Sequence, residues 1–108
     1  MARIVIGLYR PFVQTSRALM LDAIRSHHAT LRVEQLVTER APILMEAEDG
    51  TFLEVFELAD GAGANIAEHK AVKKIRKRLE ELCEIAPLIS LQEAEAAWPS
   101  FKPVDGVL

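Results

Sequence analysis

The first apolar run, "RIVIGLY" from Arg3 to Tyr9, is short, rich in β-branched residues and closed by Arg10-Pro11. As a strand it places Ile4, Ile6 and Leu8 on one face and Val5, Gly7 and Tyr9 on the other. Both faces are apolar, which predicts a strand covered on both sides. From Val13 to His28 the period becomes helical. Val13, Met20, Leu21 and Ile24 fall on one side, and Gln14, Asp22 and Arg25 lie largely elsewhere. Thr15 and Ser16 are the candidate caps at the start. Arg17 interrupts the apolar stripe, from which its head snorkels to water or reaches a carboxylate.

Leu31 to Glu48 alternates only in part. "LRVEQLVTE" reads as a strand, Arg40 to Pro42 as an interruption, and "ILMEAE" as a second extended piece. Proline cannot donate to a ladder, so Pro42 rules out one continuous central strand. Asp49-Gly50 predicts a two-residue hairpin turn, after which "TFLEVFEL" returns antiparallel. In that register Met45 opposes Glu54 and Ile43 opposes Phe56. One face then carries Ile43, Met45, Ala47, Phe52, Glu54, Phe56 and Leu58. Each face is partly apolar and each holds a carboxylate, so the second face of the sheet needs a partner.

Asp60 to Gly63 reads as a loop and Ala64 to Glu84 as a long helix. Val72, Ile75, Leu79 and Leu82 mark its buried side. Pro87 closes that segment, "PLISL" is short and β-like, and "QEAEAA" suits one helical turn. Residues 98–108 form a proline-broken apolar tail, either an extra edge strand or an arm on a partner. The order strand, helix, strand, strand, helix, strand is that of a ferredoxin-like βαββαβ unit: an α+β fold whose antiparallel sheet carries both helices on one face. The bare face is apolar, which predicts a symmetric homodimer built through it.

Composition narrows the picture. At 108 residues the chain is expected to form one domain over 1–108. The net charge of −3 argues against a dedicated nucleic-acid binder. No run approaches the roughly 18 apolar residues of a membrane span, and Ile4 to Leu8 is too short for a signal peptide; a cytoplasmic location is the expectation. Cys83 is the sole cysteine, which excludes an intramolecular disulfide and a cysteine-cluster zinc site. His27 and His28 are adjacent and, on a helix, are not expected to face one site, so no metal is predicted.

The stretches "TERAPILMEAEDGTFLEVFEL", "EHKAVKKIRKRLEELCEIAPLISL" and "FKPV" resemble the dimeric α+β barrel superfamily, in particular small bacterial proteins similar to antibiotic-biosynthesis monooxygenases. The likeness covers about two thirds of the chain, from Thr38 onward. It implies two ferredoxin-like units whose sheets close a barrel, with a ligand pocket between sheet and helices of each. Monooxygenase members often have a histidine near the start of the second helix, and His69 stands at that position. The quinone-forming type uses no metal or flavin, so the resemblance implies no cofactor. Haem-degrading relatives use an asparagine and a tryptophan. Here Trp98 lies in the tail, Leu58 stands where Trp often follows "VFE", and the first strand has no asparagine.

Three side chains are the site candidates. His69 lies at the edge of the buried helical stripe, on the side of Arg76 and Cys83, where an imidazole moves a proton near neutral pH. Glu54, flanked by Phe52 and Phe56, must find a donor or become neutral if its face is buried. Tyr9 or an arginine is its expected partner; the competing reading is a carboxylate paired structurally across the dimer interface. Tyr9 completes the set. Gly-Ala-Gly-Ala-Asn lacks the third glycine of a dinucleotide fingerprint and reads as a turn. The run "KAVKKIRKR" reads as a solvated helix face, and "TFLEVFEL" lacks the basic-glycine pattern of an RNA-binding sheet. The expected function is that of a small-molecule-binding protein, as a cofactor-independent monooxygenase-like enzyme on an apolar organic substrate. The alternative is a noncatalytic ligand-binding or assembly module.

Overall fold

The computed structural model describes residues 2–64 and 66–108. Its strands are β1 (Arg3–Pro11), β2 (Ile43–Glu46), β3 (Phe52–Leu58), β4 (Cys83–Ile85) and β5 (Lys102–Pro103). Helix α1 (Arg17–Val33) follows β1, and α2 (Lys70–Leu82) follows β3. The strands form one sheet in the order β4-β1-β3-β2-β5, with every pair antiparallel. This is an α+β fold with two helices and a five-stranded antiparallel sheet, and it fits a ferredoxin-like class. The tail supplies the edge strand β5. Among the described residues, no helix is long and apolar enough to cross a membrane.

Helix α1 begins where the Ser16 hydroxyl accepts from the Leu19 amide at 3.1 Å. It runs on through Leu31–Val33, residues expected in a strand. Helical spacing wins because Met20, Ile24, His27, His28 and Leu31 continue one buried stripe. The end is well defined. Gln35 takes φ +58, its amide donates to Arg32 O at 3.0 Å, and the Leu36 amide donates to Leu31 O at 2.9 Å. That is a Schellman closure, which satisfies two end carbonyls. Of the predicted strand only Val37 pairs, through an isolated bridge to Leu58. Arg17 reaches Glu46 at 2.9 Å and lies 5.8 Å over the Phe52 ring.

The hairpin register differs by one residue from the expected one. Leu44, not Met45, pairs with Glu54, and Glu46 pairs with Phe52. The connection is a three-residue loop closed by Ala47 N–H to Thr51 O at 2.8 Å. Gly50 sits at φ +89, and the Gly50 amide donates to Ala47 O at 3.0 Å. A type I turn followed by a left-handed glycine adds one residue to the loop. One residue of slip moves a whole strand's side chains to the other face. Leu44 and Glu46 therefore share the helix side with Phe52, Glu54 and Phe56, whereas Ile43 and Met45 face outward.

Between helices and sheet, Tyr9, Met20, Ile24, Phe52 and Leu79 form one core cluster, against which the tail residues Val104, Val107 and Leu108 pack. A second cluster joins Leu31, Phe56, Leu58 and Val72. On the outer face Leu8 and Leu53 are buried beneath the segment between β4 and β5, which contributes Leu91 and Phe101 to that cluster. The other end of that face is open: Ile4, Ile6 and Ile43 are 55%, 48% and 54% exposed.

Helix α2 is shorter than expected. Two 3₁₀ turns, Ala62–Ala64 and Ile66–Glu68, occupy its predicted start. Of the Gly-Ala-Gly-Ala-Asn stretch, Gly61 takes φ +79, and Asn65 lies outside the described residues. Val72 and Leu79 are buried, while Ile75 and Leu82 are half-buried. The β-like "PLISL" forms a 3₁₀ turn at Leu88–Ser90, not a strand. The strand after α2 is Cys83–Ile85.

Candidate functional site

Strand β3 aims Glu54 at the helices, with Gly7 of β1 and Leu44 of β2 as its paired neighbours. Side chains of one strand face alternate sides, so Tyr9 shares the helix side with Gly7. A Cβ on Gly7 would stand 2.8 Å from the Tyr9 hydroxyl oxygen. The bare glycine is what lets the phenol lie across β1 toward β3. There the Tyr9 hydroxyl donates to Glu54 Oε1 at 2.6 Å.

Helix α1 completes the cluster. His28 Nδ1 lies 3.1 Å from Glu54 Oε2, and His27 Nδ1 lies 4.0 Å from Oε1. A carboxylate only accepts, so His28 carries its proton on Nδ1 when Glu54 is ionised. Adjacent histidines were not expected to share a site. They do, because Glu54 meets α1 with its two oxygens apart and each ring takes its own side. Glu54 is 0% exposed, and the His27 Nδ1 is buried with no hydrogen-bond partner among the described residues.

Burial pushes the Tyr9 phenol well above its ordinary range, and the charge and hydrogen bond of Glu54 add to that rise. Burial lowers His27. The Glu54 charge opposes that shift, whereas Arg76 and His28 reinforce it. At neutral pH Tyr9 keeps its proton and His27 is a neutral imidazole, able to accept one.

A cavity of about 290 Å³ opens beside this cluster. It lies where β4 has ended: β4 pairs with β1 from Tyr9 to Pro11 and the Ala86 amide still donates to Leu8 O at 3.0 Å, but the Val5–Gly7 edge has no neighbouring strand ladder on that side. Tyr9 and His27 line it together with Phe56, Val72 and Leu79, and Arg76 of α2 is also part of its wall. A larger groove of about 520 Å³ lies on the outer sheet face, where Glu93 is the one ionisable residue in an otherwise apolar wall.

Of the three predicted site residues, Tyr9 and Glu54 are in direct contact. His69 stands apart from them. It caps α2 without a side-chain cap bond, its Nε2 lies 3.4 Å from Glu34 Oε2, and it does not line the cavity. Sequence reasoning missed His27 and His28. The available signal was their spacing: seven residues from Met20 to His27 and four from Ile24 to His28 place both on the buried stripe.

Cys83 is a packing residue. Its thiol donates to Leu79 O at 3.2 Å, and burial, with the charge of Glu80, pushes it up to about 11. Among the described residues no group of three or more His, Cys, Asp or Glu is placed to hold a metal ion. No protein-family model, curated protein or solved structure matches the chain.

Proposed function

We propose that the cavity between sheet and helices binds a small, mainly apolar organic molecule, and that His27, Tyr9 and Glu54 hold and move a proton on it. The observation that carries this reading is a neutral imidazole in the wall of a largely apolar cavity, its Nδ1 buried 4.0 Å from Glu54 Oε1 beside the hydrogen-bonded Tyr–Glu pair, which leaves Nε2 as the nitrogen to meet a ligand. A general base needs an open lone pair, a neutral state near pH 7 and access to substrate. Glu54 holds Tyr9 and His28 in place, and His27 is the group left to accept a proton. Resemblance to the antibiotic-biosynthesis monooxygenases suggests the reaction class. A carbanion formed by proton removal would reduce dioxygen itself, with no resident cofactor.

In this reading the chain is a ferredoxin-like βαββαβ protomer, extended by β5, that pairs through its outer sheet face with a second copy. The support is the row Ile4, Ile6 and Ile43, left half exposed on strands that otherwise bury apolar side chains.

One observation favours a noncatalytic role: both Glu54 oxygens are already engaged, by Tyr9 and His28. A structural carboxylate looks like that. The discriminating experiment is a thermal-shift screen of polycyclic phenols, followed by oxygen-consumption assays on each binder with the wild type and His27→Gln. Binding with oxygen uptake that His27→Gln abolishes supports the enzyme. Binding without uptake leaves a ligand-binding module. No binder removes the proposal.

A further inference from the structure

We infer that the cavity selects ligands bearing an anionic oxygen, which the Arg76 guanidinium holds at the rim; the inference rests on the cavity being a ligand site, as proposed above. Three observations carry it. Arg76 lines the cavity while remaining exposed to solvent, so it stands where the apolar interior meets water. It makes no ion pair among the described residues, whereas its helix neighbours Lys73 and Arg78 lie 3.6 Å from Glu68 and Asp22. Among the described residues no carboxylate lines the cavity, and the nearest buried one, Glu54, is occupied by Tyr9 and His28.

The lining thus offers one cation, one neutral imidazole, one phenol whose proton is committed, and otherwise apolar wall. Complementarity to that set is an apolar body with a single carboxylate, enolate or phenolate group. A guanidinium presents five donors in a planar fork, suited to bidentate contact with such oxygens. Low-dielectric walls strengthen the attraction relative to open water. The charge of Arg76 is felt inside the site, since it acts on both Tyr9 and His27. The arrangement also serves proton transfer. When a ligand hydroxyl gives its proton to His27, the O–H electron pair stays on oxygen, and Arg76 balances that charge.

The test uses 1-naphthoate and its neutral analogue 1-naphthamide, each titrated by amide and side-chain ¹H–¹⁵N NMR into the wild type, Arg76→Gln and Arg76→Lys. Position 76 is exposed and Gln and Lys are good helix formers, so all three proteins fold, as circular dichroism would verify. Naphthoate is expected to shift Val72, Leu79 and the Arg76 Nε–H resonances, and to bind about tenfold more tightly than the amide, the scale of one charge-assisted contact. Arg76→Gln should bring the two ligands to within about twofold, and Arg76→Lys should restore part of the difference. If both ligands shift Val72 and Leu79 equally and Arg76→Gln changes neither, the anion selection is overturned while the cavity stands as a site. If neither ligand shifts those residues at millimolar concentration, both readings fail.

Discussion

The Tyr9 hydroxyl meets the Glu54 carboxylate at 2.6 Å, diagonally across the β1–β3 pair, because the residue paired with Glu54 is glycine. A strand-borne carboxylate with no solvent access is held by one donor from its own sheet and one from α1. Sheet and helix are therefore tied by a polar joint inside an otherwise apolar layer.

Removing that acceptor should be costly. Glu54→Ala leaves the Tyr9 hydroxyl and the His28 Nδ1 without their partner in the core, at about 1–3 kcal/mol for each unsatisfied group. Glu54→Gln keeps an acceptor for Tyr9, and His28 can change tautomer to accept from the new amide, so its loss should be smaller. Urea unfolding ranks the three proteins. An Ala variant as stable as the wild type would show that the joint contributes nothing.

Gly7→Ala tests why β1 carries a glycine there. The added methyl would sit 2.8 Å from the Tyr9 oxygen, closer than carbon and oxygen approach without displacement. The phenol should swing off Glu54. Near-ultraviolet circular dichroism, to which Tyr9 is the one tyrosine contributor, should change together with a loss of stability. Gly7→Ala paired with Tyr9→Phe should recover part of the loss, because the clashing oxygen is gone.

The pH profile should carry two marks. His27 is lowered in the folded state from an ordinary 6.5, chiefly by burial, with Glu54, Arg76 and His28 acting on it. Between its folded and unfolded values the unfolded chain binds more protons, so stability falls as pH drops below about 6.5. Tyr9 is raised from 10.0. Its contribution is complete below about 10 and is lost as pH climbs toward the folded value. His27→Gln should flatten the acid limb and leave the alkaline one. An unchanged acid limb would assign that slope to other groups.

The exposed sheet face predicts a dimer. Multi-angle light scattering should give twice the mass of a 108-residue chain at micromolar concentration. Ile6→Asp, placed in the middle of the open face, should yield a folded monomer with the same far-ultraviolet spectrum. A wild-type protein that stays single at every concentration would remove the second copy.

His69→Ala separates the two histidine positions. The His69 side chain is half-buried, makes no cap bond and, among the described residues, has Glu34 as its ion-pair partner at 3.4 Å. Its loss should change stability by less than about 0.5 kcal/mol and leave naphthoate affinity as it was. Loss of binding in this variant would return His69 to the site.

The short β-rich runs Arg3–Tyr9 and "TFLEVFEL", helical spacing from Met20 to Ile24, and the stripe through Val72 and Leu79 were enough for an α+β chain with two helices and an antiparallel sheet. These signals are local, because one face of each element must be apolar whatever it packs on. Glu54 between two phenylalanines was legible as a carboxylate in need of a donor if its face is buried, but the choice between Tyr9 and an arginine as that donor was not. The hairpin register was not legible. Asp49-Gly50 suits a two- or three-residue loop, and the choice rests on pairing across strands. Nor was the descent of α1 past His28, where one more turn of packing overrode a β-like composition. The joining of His27, His28, Tyr9 and Glu54, and of Arg76 to the cavity beside them, brings together residues up to 67 positions apart. No local pattern encodes that proximity; it arises when β4 ends early and two helices close over the uncovered edge of β1.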